Sequence, residues 1–190
     1  MNTKTRRLTA TALMAALMLI MGLAPLPVGY IPVPIGPFSI TLMCLPVIIG
    51  TVLLEWQSGL FLGLLFGITS LVRGVSDPLT MALINQYPFA MFPAIFVTRL
   101  LIPLTTYGMY RLTKRMKRAV GLPITAAVGS VTNTIFFLGI ITVLGGPSLT
   151  SALGIVLGTT LIVNGLLEMV AAMIVCTPII LALQKVIKKD

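Results

Sequence analysis

The sequence predicts an all-α membrane protein of six transmembrane helices with both termini cytoplasmic, and three observations predict it. Of 190 residues, 57% are apolar and only 9% charged, whereas about a quarter are charged in an ordinary soluble domain. The uncharged runs are long, with 47 residues from Leu8 to Leu54 and 49 from Ala119 to Leu167. Each holds two membrane-spanning helices of about 20 residues, and the charge-free stretches Trp56 to Val72 and Pro78 to Thr98 supply one more apiece. The basic residues are bunched: Lys4, Arg6 and Arg7 precede the first span, Arg111, Lys114, Arg115, Lys117 and Arg118 lie together, and Lys185, Lys188 and Lys189 close the chain. The positive-inside rule puts all three clusters in the cytoplasm, which requires an even number of crossings. Six spans leave only short loops, so residues 1–190 form a single membrane domain.

Turn residues divide the runs. Span one covers about Leu8 to Ala24 and ends at Pro25 and Pro27. A cationic start followed by an apolar run also describes a signal peptide, but its removal would leave an odd number of spans between basic clusters that need the same side. The stretch from Pro25 to Pro37 holds five of the 13 prolines and no charge, so it is an external loop rather than helix. Span two, about Phe38 to Leu54, returns to a turn at Glu55-Trp56-Gln57, with Trp56 at the interface. Span three, about Ser58 to Val72, carries Gly59, Gly63 and Gly67 at four-residue intervals, the spacing that lets membrane helices approach closely. Arg73, Gly74, Ser76, Asp77 and Pro78 make an external turn, and Asn85-Gln86-Tyr87-Pro88 a second break. Span four runs from about Phe89 to Leu112 with a kink expected at Pro103, span five from about Leu122 to Leu144, and span six from about Ser151 to Leu183 after Gly145-Gly146-Pro147-Ser148.

Polar residues at membrane depth are the candidates for function, because an ionisable group there is costly unless paired or hydrated. Arg99 lies inside span four. Glu168 is expected near the middle of span six, sharing a helix face with Asn164 and Thr160 at four-residue spacing. Span five adds Ser130, Thr132, Asn133 and Thr134. Two readings stand: Arg99 and Glu168 neutralise each other as a structural pair, or they line a ligand cavity. Arg73 is either half of a solvated pair with Asp77 or closes over an anionic ligand from outside. The uncharged loop is then either a lid whose Tyr30 and prolines shield the site, or a segment lying at the lipid interface. Ala12 and Ala16 give span one a small-residue face against which another helix can pack.

Missing motifs narrow the class. No GxxxxGK[ST] loop is present, so the chain does not hydrolyse ATP by the P-loop route. The chain has no histidine and four acidic residues, which argues against HExxH metal sites, His-based nucleophilic catalysis and paired-carboxylate chemistry. No metal site, catalytic residue or resident cofactor is expected, and the basic excess reads as topology rather than as a nucleic-acid surface. The remaining classes are a ligand-binding transport subunit, a proton-coupled secondary transporter using Glu168, and a membrane assembly factor without a ligand.

Several of these residues together carry a resemblance. The six-span layout, Ala12-x-x-x-Ala16, Leu45-Pro46-Val47-Ile48-Ile49-Gly50, Gly59-x-x-x-Gly63-x-x-x-Gly67 leading to Ser70-Leu71-Val72-Arg73, Thr132-Asn133-Thr134, and Asn164-x-x-x-Glu168 resemble substrate-binding S components of energy-coupling factor (ECF) vitamin transporters. The resemblance spans nearly the whole chain and is greatest to pantothenate-type members. It implies a multi-pass protein of the bacterial plasma membrane, not itself an enzyme, that captures a vitamin and docks on a T component. Two partner ATPases, using ATP and Mg, then drive uptake by toppling the subunit in the bilayer. It implies that Ala12 and Ala16 meet the T component, that Pro25 to Pro37 and Arg73 to Pro88 gate the site, and that Asn133, Asn164 and Glu168 contact substrate. Pantothenate, an aliphatic hydroxylated amide with one carboxylate, would find cationic and amide partners in Arg73, Arg99, Asn133 and Asn164. Met43-Cys44 stands where related chains carry His, and Pro103 where glycine is common, so cobalamin, folate and hydroxymethylpyrimidine stay open as cargo.

Overall fold

The computed structural model describes residues 3–23, 29–31, 40–159 and 163–187. Helix α1 spans Thr3–Leu23, and a two-residue strand β1 (Tyr30–Ile31) pairs antiparallel with β2 (Ile40–Thr41), Tyr30 opposite Thr41. There follow α2 (Cys44–Leu54), α3 (Trp56–Ser76), α4 (Pro78–Gln86), α5 (Pro88–Thr113), α6 (Arg118–Thr159) and α7 (Gly165–Ile187). Among the described residues the architecture is all-helical apart from that short hairpin, and five helical segments are long and apolar enough to cross a membrane: Lys4–Leu23, Trp56–Ser76, Pro88–Thr113, Arg118–Pro147 and Gly165–Lys185. Helix α2 has 11 residues, about 16 Å at 1.5 Å per residue, and is shorter than the expected second span because the hairpin occupies part of that stretch.

Helix α2 is apolar on every side, which is the pattern of a helix enclosed by others. All its residues except Leu53 are buried, and it contacts α1, α3, α5, α6 and α7. Its side chains Val47 and Ile48 meet Phe66 and Leu62 of α3 and Ile102 of α5 in the main core cluster. The reversal into α3 takes a single residue. Glu55 adopts φ 80°, a conformation costly for a side chain with a Cβ, and its carboxylate is held by Arg7 at 2.6 Å.

The glycines of α3 work as their spacing predicts. A Cβ on Gly63 would run into the carbonyl oxygen of Arg99, and one on Gly59 into Thr51 and Pro103. Pro103 has no N–H, so it cannot bond the carbonyl of Arg99 four residues earlier. The helix nonetheless continues through both Pro93 and Pro103, and that carbonyl faces the bare backbone of Gly63. Helices α3 and α5 therefore lie closer than side chains would permit.

Other boundaries differ from the sequence reading. Arg73 to Ser76 belong to the last turn of α3, and the expected external loop up to Pro88 is mostly helix α4. Asp77 starts α4 by accepting from the Thr80 amide at 2.9 Å and its hydroxyl at 2.6 Å, with Pro78 in the first turn where its missing N–H costs nothing. Helix α6 bends at Gly146, where φ is 72°, a value glycine tolerates. Its second arm, 147–159, takes up residues assigned to span six, so Glu168 falls in the first turn of α7 rather than near mid-span. An uncharged run carries no mark of where one helix hands over to the next. Thr160 and most of the Pro25 to Pro37 loop lie outside the described residues.

The first two basic clusters lie at one end of the bundle, with the described part of the third beside them. Arg7 reaches Glu55 and Gln57 at the start of α3, Arg118 bonds Gln184 at 3.1 Å, and Gln184 bonds Tyr110 at 3.5 Å.

Replacing Gly63 by Val is expected to push α3 off α5 and destabilise the protein by about 1–3 kcal/mol, as overpacking does. Gly108, with open space around it, should accept Ala with a change within about 0.5 kcal/mol. Thermal unfolding in detergent compares the two.

Candidate functional site

At the end of α3 away from Arg7 lies a cavity of about 420 Å³, within the range of about 300–1,000 Å³ common for small-ligand sites. Tyr30, Arg73, Arg99, Asn133, Asn164 and Glu168, the six residues singled out from the sequence, all line it. They arrive from the hairpin, α3, α5, α6, a π-type turn at 163–164 and α7.

Arg99 is 7% exposed. Its guanidinium lies 5.0 Å from the ring centre of Phe66 and 4.8 Å from that of Phe137, so two aromatic faces offset part of its desolvation. One terminal nitrogen donates to the Ala94 carbonyl at 3.2 Å, whereas Nε is buried without a hydrogen-bond partner. A buried cationic donor left unbonded is costly and suits an anionic ligand.

Glu168, 5% exposed, is provided for differently. It accepts from the Thr41 amide at 2.6 Å and from Thr134 Oγ1 at 3.3 Å. Among the described residues no ion pair joins Arg99 to Glu168, so the two face one cavity without forming a direct structural pair. The Asn133 amide oxygen remains buried and unbonded.

The Tyr30 hydroxyl shares a hydrogen bond with Ser70 Oγ at 3.1 Å. Burial pushes its phenol up, against the opposing pull of Ser70, Arg99 and Arg73, so it stays protonated at neutral pH and can donate. Arg73 is exposed at the rim, its guanidinium 5.7 Å from the centre of the Tyr30 ring. The solvated pair with Asp77 does not form, because Asp77 is engaged in capping α4.

Sequence reasoning missed several contributors. The Thr41 amide and the ring of Phe137 carry no signal, since a backbone group is anonymous and a phenylalanine in an apolar helix is unremarkable. Ser70 could have been found from the helical spacing that puts it near Arg73. Thr132 turns away to bond Thr105 at 2.9 Å, and Ser130 lies buried outside the cavity. Ala12 and Ala16 are far from the site, on the exposed face of α1.

A profile of the family described as ECF transporter, substrate-specific component, matches residues 6–180. The chain belongs to this family of ECF substrate-specific components. It is also similar to the pantothenic acid transporter PanT of Lactococcus lactis subsp. cremoris (strain MG1363), at 34% identity over 166 residues covering 81% of each chain. As an S component the chain is a transport protein with several membrane-type helices and not an enzyme, and T-component and ATPase partners go with the family in general. In this S component the matched region includes five of the six cavity elements in full and α7 as far as Ile180.

Removing the Glu168 acceptor is expected to release the hairpin. In Glu168→Ala the Thr41 amide loses its partner, at about 1–3 kcal/mol, and hydrogen exchange across residues 29–42 should accelerate markedly. Glu168→Gln, which keeps one acceptor oxygen, should exchange at an intermediate rate. Exchange unchanged in both variants would mean that Glu168 does not hold the hairpin.

Proposed function

We propose that this S component binds pantothenate from the outside of a bacterial plasma membrane and passes it inward as part of an ECF importer. The observation that carries the reading is the buried Arg99, with an unbonded Nε, lining the same cavity as Asn133, whose amide oxygen is also unbonded, in a chain similar over most of its length to a pantothenic acid transporter. A carboxylate satisfies Arg99 or Arg73 through charge-assisted hydrogen bonds. The carboxylate of Glu168 repels the acidic end of such a ligand and is suited to accept from its hydroxyl groups. Met91, Ile95 and Ile141 supply an apolar wall for the geminal methyls. The aromatic faces of Phe66 and Phe137 already carry the Arg99 guanidinium, which favours an aliphatic vitamin over one that stacks a ring.

The topology of the proposal is six crossings within one membrane domain, with α2 forming the second and both termini cytoplasmic. Its support is the position of Arg7, the Arg111–Arg118 cluster and Gln184, next to Lys185, at one end of the bundle and the positive-inside rule. Energy comes from a T component and two ATPases that use ATP and Mg. Docking on the T component uses Ala12 and Ala16, whose exposure on α1 leaves a shallow face open to a partner helix.

Purification from rich medium followed by mass spectrometry of co-purified small molecules tests the cargo. Pantothenate is the expected finding, and cobalamin, folate or hydroxymethylpyrimidine would overturn it. Arg99→Ala should weaken pantothenate binding roughly 10- to 100-fold, the range for a lost hydrogen bond to a charged group, as read by calorimetry. Ala12→Trp and Ala16→Trp should bind pantothenate normally but fail to support uptake with the partner subunits. Proton-driven uptake by the chain alone in liposomes, indifferent to ATP, would instead make Glu168 the proton carrier of a secondary transporter.

A further inference from the structure

A second cavity, of about 560 Å³, lies at the opposite end of the bundle, between the last turns of α2 and α5. Arg111, Lys114 and Arg115 bring three cations to it, and Glu55 the one carboxylate. That carboxylate is engaged by Arg7, and among the described residues no acidic group pairs with Lys114 or Arg115. The α5 C-terminus offers the equivalent of only about half a negative charge, far short of three cations. Solvated topology signals need no cavity, whereas these stand around one whose inner wall includes Val52 and Leu53.

The surface beside the cavity continues toward the middle of α5. Leu104, Gly108 and Arg111 follow one another at helical spacing on one face of α5, and Arg115 lies in the turn just beyond its end. Leu104 is 45% exposed, and nothing lies within 4 Å of where a Gly108 Cβ would be. Tyr107 and Tyr110, with amphipathic rings of the kind that settle at the membrane interface, line the cavity next to this face, and the Arg111 guanidinium lies 5.9 Å from the Tyr107 ring centre. The cations thus stand at the end of an exposed apolar face of α5.

We propose that this cavity binds the phosphate of an anionic phospholipid, with Arg111, Lys114 and Arg115 on the headgroup and an acyl chain along Gly108 and Leu104. The lipid fills the gap between the ends of α2 and α5 and neutralises cations that the protein leaves uncompensated. The site is separate from the vitamin cavity, the length of α3 away.

The test uses the full chain in detergent, titrated with phosphatidylglycerol, with phosphatidylcholine or with inorganic phosphate, and read by thermal unfolding and by native mass spectrometry. Phosphatidylglycerol is expected to raise the unfolding temperature by several degrees and to remain bound, and phosphatidylcholine to do neither. The double variant Lys114→Gln/Arg115→Gln, and separately Arg111→Gln, should lose phosphatidylglycerol affinity roughly 10-fold or more, as expected for lost charge-assisted contacts. Both variants should bind pantothenate as the parent does, which shows that they are folded. Equal retention of the two lipids, or unchanged phosphatidylglycerol affinity in both variants, overturns the proposal. Protection by inorganic phosphate equal to that by phosphatidylglycerol overturns the lipid assignment in favour of a soluble phosphate.

Discussion

Pro103 and Gly63 form the contact on which the ligand cavity depends. A proline within a helix leaves the carbonyl four residues back without its donor, and here that carbonyl belongs to Arg99. Gly63 offers the only kind of backbone surface on which the carbonyl can rest, one with no Cβ in the way, and Cα–H groups there are weak donors to it. Gly59 accommodates the ring of Pro103 one turn away. The interface thereby sets the height and rotation of α5 against α3. Phe66, on α3, then lies under the Arg99 guanidinium, and Ser70, one turn further, meets Tyr30.

The two buried charged side chains facing the cavity, Arg99 and Glu168, are treated unequally, and the inequality is informative. Glu168 has two donors, one of them a backbone amide, so part of its acceptor capacity is met without any ligand. Arg99 has one carbonyl and two ring faces for five N–H groups. Ring faces are poorer partners for a desolvated cation than a carboxylate in a bidentate contact. A direct Arg99–Glu168 pair would have met both needs internally and left the cavity electrostatically inert. Keeping them apart leaves a net demand for negative charge on the Arg99 side.

Much of this was legible in the sequence because charge is so scarce in it. With 11 of 13 basic residues explained by clustering, Arg73 and Arg99 stood out, and the helical spacing of Asn164 and Glu168 marked the facing wall. The glycine stripe of α3 was equally plain. Helix boundaries within uncharged runs were not, since hydrophobicity is uniform across Gly146 and up to Gly165, and Glu168 was placed too deep as a result. Nor could a sequence reveal that α2 would be short and enclosed. Its apolar run would serve equally for a lipid-facing span, and only the packing of five other helices around it distinguishes the two.

The hairpin is held to the helices quite differently from the way the helices hold each other. Thr41 is bonded to Glu168 on α7, and its cross-strand partner Tyr30 is bonded to Ser70 on α3. These two bonds straddle the cavity, and each contributes only about 0.5–3 kcal/mol net. Separating α3 from α5 would instead expose a continuous interdigitated surface and leave the Arg99 carbonyl without a neighbour. An opening of the cavity is therefore cheapest at the hairpin. Glu168, which holds Thr41, also lines the cavity. On the proposed function, a ligand hydroxyl bonding to Glu168 would draw on the same carboxylate that ties the hairpin to α7.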